Sequence, residues 1–189
     1  MVDQIRSIHF PAKLDEEVTV AAVSRPTFYD VTGQLTSHIF TPLTDLGLYQ
    51  APKPSGDLAR ELAQQTHYEY FVFNNEAGEP VGFSAGKLTD GQTFFMEWSG
   101  ILPAYQRRGL YSRFLDSLIP YLQALGIERV TSNHMGTNRP VLIAKLKAGF
   151  IITGVTLDER HGMLVWLARF LEPARQQGFE RAFSLDSFT

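Results

Sequence analysis

The pattern of apolar and polar positions divides the chain into strand-like and helix-like segments. Short runs rich in β-branched and aromatic residues, bounded by glycine, proline or asparagine, are typical of strands. Such runs occur at 18–23, 68–73, 80–87, 93–101, 127–132, 150–157 and 163–170. The turn residues between them predict an antiparallel three-strand meander over 68–101 and a hairpin around 158–162.

Apolar residues spaced three and four apart predict the helices. Pro26 fits the first turn of a helix over 26–37. Residues 41–55 are rich in proline and glycine and predict a surface loop, after which Ser55 can cap a helix. The helix after Gly109 has a core-facing side at Leu110, Phe114, Leu118, Leu122 and Leu125.

Two prolines and a glycine locate the remaining helix features. Pro120 lies inside the helical pattern that follows Gly109 and predicts a kink rather than two helices. Thr137 or Asn138 can cap the next helix, which has Pro140 in its first turn and ends at Gly149.

The two ends of the chain have weaker patterns. Before Pro11, three apolar residues predict either a short edge strand or a segment that covers the core; they are Ile5, Ile8 and Phe10. In the tail, apolar residues in a polar background predict either a packed helix or an interface, and a homodimer is one assembly that such an interface could form. These residues are Phe179, Phe183, Leu185 and Phe188. With no visible linker or repeat, we expect a single domain over 1–189, with a core over about 18–170 and a C-terminal extension over 171–189.

Composition narrows the classes of function. The chain has 189 residues, of which 44% are hydrophobic, enough for one well-buried domain. The net charge of -3 argues against a protein that coats nucleic acid. The absence of cysteine excludes disulfides and thiolate catalysis, and the five histidines lack metal-site spacing, so no metal is expected. No apolar run is long enough for a signal core or a membrane span, so we expect a cytoplasmic protein without membrane contact.

The stretch Trp98–Phe114 carries the clearest candidate chemistry. Gly109 follows Gln106, Arg107 and Arg108 at the point where a strand gives way to a helix. A helix start presents unpaired backbone N–H groups and partial positive charge, and glycine lets an anion approach them closely. The stretch therefore favours a phosphate-binding turn, with an ordinary connection bearing solvated arginines as the alternative. The acidic background favours a small anion over a polymer.

The turn, a downstream motif and the order of elements together resemble the GNAT superfamily of acyl-CoA-dependent N-acyltransferases. Members typically carry [RQ]-x-x-G-x-[GA] after the fourth strand, which residues 106–111 match except at the last position. They also have an asparagine that opens the next helix and a Gly-Phe pair that ends it, matched by Asn138 and Gly149-Phe150. The resemblance covers about 18–170. It implies an α+β fold with a mixed, mostly antiparallel central sheet of about seven strands, flanked by helices and splayed between the fourth and fifth strands.

The resemblance also implies a function. The expected activity is N-acetyl transfer from acetyl-CoA to a primary amine, by direct attack of the amine on the thioester. The co-substrate would be acetyl-CoA, with coenzyme A as its product, and the acceptor a small-molecule or peptide amine. A non-catalytic, regulatory acyl-CoA-binding module is the alternative.

Roles for individual residues follow from the resemblance. Backbone N–H groups of Arg108 to Ser112 would hold the pyrophosphate, and backbone groups around Gly100–Leu102 would pair with the pantetheine arm. Asn138 would contact the pantetheine or the leaving sulfur, and is counted with Glu97 as a catalytic candidate. The expected cofactor-binding residues are Gly100, Ile101, Leu102, Gln106, Arg107, Arg108, Gly109, Leu110, Tyr111, Ser112 and Asn138.

Glu97 is the preferred general base. The acceptor amine must lose a proton, and the family often draws its base from a carboxylate on the fourth strand. The period of two in a strand places Glu97 on the same face as Phe95 and Ser99. The alternative for Glu97 is a cross-strand ion pair. His134 and Asn133 are secondary candidates, and a local turn or capping role is favoured for each.

Two positions depart from the family pattern. Tyr111 stands where the motif has Gly or Ala, and it can shield the cofactor, point into solvent or pack. Lys145 stands where members often have a tyrosine that protonates the departing thiolate. Substrate choice in the family comes from the first helices and the last hairpin, which here means Phe28, Tyr29, Phe40, Tyr49 and the turn Asp158–Gly162.

Overall fold

The structure is a computed structural model that describes residues 1–40, 56–58, 61 and 65–183. The predicted loop over 41–55, the cap at Ser55 and Tyr49 lie outside the described residues. The same is true of Leu185 and Phe188 in the tail.

Within the described part of the chain, five α-helices and eight strands form a mixed α+β fold. In chain order they are α1 (Val2–His9), β1 (Ala12–Lys13), β2 (Thr19–Ala22), α2 (Arg25–Ile39), β3 (Tyr68–Asn74), β4 (Pro80–Leu88), β5 (Thr93–Ile101), α3 (Leu110–Ala124), β6 (Arg129–Met135), α4 (Arg139–Lys147), β7 (Ile151–Asp158), β8 (Gly162–Phe170) and α5 (Pro173–Phe183). A 3₁₀ turn, Pro103–Tyr105, separates β5 from α3. Among the helices described here, none combines the length and apolar character needed to cross a membrane.

The eight strands form one sheet in the order β1-β2-β3-β4-β5-β6-β8-β7. Neighbouring strands are antiparallel except β5 and β6, which are parallel. Their ladder runs only from the pair Thr93 and Arg129 to the pair Met96 and Ser132, while β6 continues beside β8 as far as Met135. The splay predicted between the fourth and fifth strands is therefore confirmed as a separation of β5 from β6. The sheet has eight strands, against about seven expected, because it includes the short strand β1.

Apolar residues are buried on both faces of the sheet. On one face α3 lies over the sheet and buries the residues predicted from its spacing, with Leu125 packed at the margin. Pro120 lies inside this one helix, so the expectation of a single helix is confirmed. On the other face α2, capped by Ser24, packs Phe28 against Tyr70 and Phe83.

The N-terminal segment forms a helix, so the predicted edge strand is wrong. None of the α1 residues is fully buried, and a long-range ion pair fixes the helix instead. Arg6 donates from Nε and an Nη to the two carboxylate oxygens of Glu69 on β3, at 3.1 and 3.0 Å. Glu69 is only 2% exposed, and His67 Nε2 lies 2.8 Å from its Oε1. Phe10 is buried against Phe71, so the segment covers the core, as its alternative interpretation held.

The C-terminal tail begins as the helix α5. Phe179 packs on Phe170 of β8 with ring centroids 5.3 Å apart. Phe183 contacts Phe179 but remains 70% exposed. The packed-helix interpretation is confirmed for this part of the tail, and the interface interpretation stays a prediction.

Candidate active site

The turn that precedes α3 is held in an unusual backbone conformation. Gly109 has φ 78° and caps the helix, and Arg107 also has a positive φ, of 61°. The side-chain amide of Gln106 donates to the carbonyl of Ile101 at 2.8 Å and ties the turn to the end of β5. Because a helix start leaves its first N–H groups without partners inside the helix, the backbone of this turn can bind an anion.

Two arginine side chains at the turn, Arg108 and Arg113, have acidic neighbours. Arg108 pairs with Asp15 at 2.8 Å and with Glu17 at 2.9 Å. Arg113 donates to the carbonyl of Arg108 at 2.5 Å. Backbone N–H groups, rather than the Arg108 guanidinium, are therefore the better placed donors for a phosphate group.

A cavity of about 620 Å³ opens where β5 and β6 separate. Most of the predicted site residues line it, namely Glu97, Gly100, Ile101, Gln106, Arg107, Gly109, Leu110, Tyr111, Ser112 and Asn138. Leu102 and Arg108, which belong to the same prediction, are not among its lining residues. The cavity thus joins the glycine turn, the outer half of β5 and the start of α4 into one site.

A bulge in β5 places Glu97 in this cavity. Ala85 of β4 pairs with Trp98 and Gly86 pairs with Met96, so Glu97 has no partner residue in that ladder. Gly86 has no room for a side chain, because a Cβ there would lie 2.4 Å from the Phe94 ring. An extra residue of this kind bends a strand and redirects its side chains.

The bulge corrects the predicted alternation. Glu97 points to the α2 face, where its carboxylate accepts from Lys87 Nζ at 2.5 Å. Ser99 points to the opposite face and shares a hydrogen bond with Ser84 at 2.8 Å, so the expectation that Glu97 and Ser99 lie on one face is wrong. The cross-strand ion pair is present, and Glu97 also lines the cavity.

The aromatic residues predicted near the acceptor have different surroundings. Phe28 is a core residue, 1% exposed, whereas Tyr29 is half exposed. Phe40 lines the cavity and packs on Trp98, which also lines it. The turn Asp158–Gly162 lies at the tip of the β7–β8 hairpin.

Lys145 is completely buried beside the cavity. Its Nζ lies 2.7 Å from Sδ of Met96 and 4.1 Å from the ring centroid of Phe150. The ring centroid of Tyr111 lies 5.7 Å away. With no carboxylate among its contacts in the described structure, burial lowers the pKa of the Lys145 amine well below its ordinary value of 10.5. Lysine is rarely buried unless paired, so residue type alone could not have indicated this position.

Three further buried polar atoms lack hydrogen-bond partners within the described residues: Tyr111 Oη and His134 Nε2, which belong to residues that line the cavity, and Ser132 Oγ on the same strand as His134. The Tyr111 hydroxyl is buried, so the packing interpretation of that residue is correct and the solvent one is wrong. Burial, with a smaller contribution from a positive charge on Lys145, lowers the pKa of His134 to about 4. Ser132 was missed by the sequence reasoning, although the period of two places it on the face of His134.

Asn138 occupies the N-cap position of α4 and makes no side-chain capping bond. Its side chain lines the cavity. At the other end of α4, Gly149 has φ 79° and Phe150 is buried, as expected for a glycine that ends a helix. A polar amide at the cavity and a Gly-Phe end to the same helix are the features that the sequence predicted.

Comparison with known proteins adds independent information. No curated protein matches the chain significantly. The family model described as "Acetyltransferase (GNAT) family" matches residues 38–150, which is more than half of the chain.

Solved structures share the fold at low sequence identity. The ribosomal-protein-S18-alanine N-acetyltransferase from Escherichia coli has a TM-score of 0.61 and 16% identity, covering 82% of this chain and 94% of that one. Spermidine N-acetyltransferase from Vibrio cholerae, in complex with CoA and spermine, has a TM-score of 0.59 and 12% identity, with 83% and 97% covered. A GNAT family acetyltransferase from Elizabethkingia anophelis with acetyl-CoA bound has a TM-score of 0.57 and 14% identity, with 82% and 99% covered.

Three observations point to the same family. The parallel strands β5 and β6 separate, a glycine turn precedes α3, and the family model matches residues 38–150. The chain belongs to the acetyltransferase (GNAT) family, and it is an N-acetyltransferase with acetyl-CoA as co-substrate.

Proposed function

We propose that the protein transfers the acetyl group of acetyl-CoA to a primary amine, which attacks the thioester directly. The observation that carries this proposal is the single cavity that runs from the Gly109 turn to the separated half of β5. One end offers backbone donors for a pyrophosphate, and the other offers polar groups beside an open strand edge. A chain without cysteine cannot form an acetyl-cysteine intermediate, which agrees with direct transfer.

We assign the cofactor contacts to backbone more than to side chains. The N–H groups from Arg108 to Ser112 would hold the pyrophosphate at the positive end of α3. Gly100 and Ile101 lie in the part of β5 beyond its ladder with β6, so the backbone groups that point to this open edge of β5 would face the pantetheine amides. A side chain at Gly100 would crowd the α2 face, since a Cβ would lie 3.0 Å from Ile39 and 3.1 Å from the Phe40 ring. Asn138 would contact the pantetheine or the sulfur from α4.

The acceptor in this proposal is a small-molecule or peptide amine. The cavity wall on the α2 side combines a carboxylate, Glu97, with the aromatic rings of Trp98 and Phe40. A carboxylate and aromatic faces are both favourable for a cationic amine before it loses its proton. Two structural neighbours act on amines according to their descriptions, one on spermidine and one on a ribosomal-protein alanine.

Acetyl transfer is expected to appear as release of free thiol. The purified protein would be incubated with acetyl-CoA and a panel of polyamines, small primary amines and peptides with free N-termini. Thiol release above the amine-free background supports the proposal. Thermal stabilisation by coenzyme A, without thiol release for any amine, would contradict it. If neither acetyl-CoA nor coenzyme A raises the unfolding temperature, the cofactor site itself is wrong.

Glu97→Gln is expected to lower kcat with the identified amine by about 100-fold, the lower range for loss of a general base. The same change also breaks the ion pair with Lys87, so Lys87→Met is the matched control because it breaks that pair and keeps the carboxylate. Steady-state kinetics of the two variants separate the roles. Equal and small effects of both substitutions would show that Glu97 serves only the cross-strand pair.

A further inference from the structure

The side chain of Tyr111 ends in a buried place next to the separation of β5 and β6. Tyr111 lines the cavity, and its ring packs against Phe114 on the core side. The hydroxyl has no hydrogen-bond partner in the described part of the chain. The nearby Ser99 hydroxyl interacts with the Tyr111 hydroxyl closely enough to lower its pKa, but the hydrogen bond of ordinary geometry that Ser99 makes, at 2.8 Å, is with Ser84. An unpaired buried hydroxyl costs free energy, so this group is best explained by a partner that arrives with a ligand.

The nitrogen groups nearby are poor proton donors. Lys145 is completely buried with Nζ against Met96, and burial lowers the pKa of its amine well below the ordinary value, which disfavours the charged form that could give a proton to a thiolate. His134 lines the cavity, but its pKa of about 4 means that the ring is also neutral at physiological pH. Burial raises the pKa of the Tyr111 hydroxyl above its ordinary value of 10, so the phenol keeps its proton. Of the buried hydroxyls without a partner among the described residues, that of Tyr111 belongs to a residue that lines the cavity, whereas Ser132 and Tyr121 do not line it.

We propose that the Tyr111 hydroxyl donates a hydrogen bond, and then its proton, to the sulfur of coenzyme A as the acetyl group leaves. The inference rests on the acetyl transfer proposed above and assigns the acid in that reaction. It places the acid on α3, at the last position of the glycine motif, and leaves the α4 position of Lys145 without that role.

Atoms and charges balance in this step. The amine nitrogen forms a bond to the acetyl carbon, the C–S bond breaks, and its electron pair stays on the sulfur. The sulfur takes the proton of Tyr111 and leaves as a thiol. The proton that the amine loses passes to solvent by way of Glu97, and a proton from solvent restores the phenol. The low polarity around the phenol strengthens its hydrogen bond to the growing negative charge.

Tyr111→Phe tests the inference, because it removes one oxygen and keeps the ring. We expect the Kd of coenzyme A to stay within about twofold, and kcat with the identified amine to fall by about 10- to 100-fold. The second readout is independent of turnover: the pKa of the bound coenzyme A thiol, titrated through the ultraviolet absorbance of its thiolate. Losing a hydrogen bond to the thiolate should raise that pKa by about one unit.

Tyr121→Phe is the matched control. It lies on the same helix, its hydroxyl is also buried, and it is outside the cavity lining. Its kcat and thiol pKa should equal those of the wild type. If Tyr111→Phe also leaves both values unchanged, the inference is overturned while acetyl transfer stands. If the wild type acetylates no amine, the proposed function fails, and the thiol pKa alone then decides whether Tyr111 contacts the sulfur.

Discussion

Replacing Lys145 with methionine is expected to stabilise the protein at neutral pH. Methionine has a similar shape and no charge, and it would fill a site where Nζ has only a thioether and aromatic rings nearby. The unfolded chain binds a proton on Lys145 up to about pH 10.4, whereas the buried amine releases it at a lower pH. Over the pH range between these two pKa values folding therefore expels a proton, and Lys145→Met removes that cost.

The pH dependence of unfolding provides the direct measurement. Between the folded pKa and the unfolded pKa of Lys145 the unfolded chain holds one more proton. The stability of the wild type should therefore rise with pH, by about 1.4 kcal/mol per unit from this group. Urea unfolding of Lys145→Met across the neutral and mildly alkaline range should lack that contribution. Lys147→Met, an exposed position on the same helix, should change neither stability nor slope by much. A destabilised Lys145→Met with the wild-type slope would mean that Lys145 is charged in the folded protein.

Replacing Arg6 with methionine is expected to destabilise the protein by about 3 kcal/mol. Glu69 is almost fully buried, and Arg6 donates to both of its carboxylate oxygens. Without Arg6 the buried carboxylate keeps the ring nitrogen of His67, at 2.8 Å, among its described contacts. Removal of one partner from a buried ion pair costs about 3–5 kcal/mol, and we expect the lower end because Arg6 is itself partly exposed.

Two further variants show whether the buried pair is the cause. Arg6 also contacts Asp3, which is 91% exposed, so Asp3→Asn should change stability by less than about 0.5 kcal/mol. The double variant Arg6→Met with Glu69→Met removes both charges and should be more stable than Arg6→Met alone. A double variant that is less stable than Arg6→Met would locate the effect in helix α1 rather than in the buried charge. Urea unfolding at neutral pH gives all three values.

The central elements could be predicted because local signals agree with the fold. The meander, the helix after Gly109 and the final hairpin each have the right apolar period and turn residues at their ends. The site could be located because glycine at a left-handed position and the downstream Asn138 are both visible in the sequence. Gly109 acts through its backbone conformation, which residue type reports well.

The features that sequence reasoning missed depend on contacts between distant residues. Helix α1 has no buried residue of its own, and its place is fixed by Glu69 from another part of the chain. The bulge at Glu97 depends on how β5 pairs with β4, where Gly86 has no room for a side chain. An alternation of apolar and polar residues with a period of two does not reveal such an inserted residue. The burial of Lys145 depends on packing from Met96 and Phe150, which come together only in the folded sheet.

Arg108 joins the glycine turn to Asp15 and Glu17, which precede the stretch that the family match covers. Domain limits taken from that match would remove both acidic partners, along with the helix whose Arg6 neutralises Glu69. A shortened protein would keep every residue of the cavity lining and still present a different electrostatic setting to the cofactor's phosphates. Comparisons of cofactor affinity between this protein and other family members are therefore meaningful only when the N-terminal segment is included.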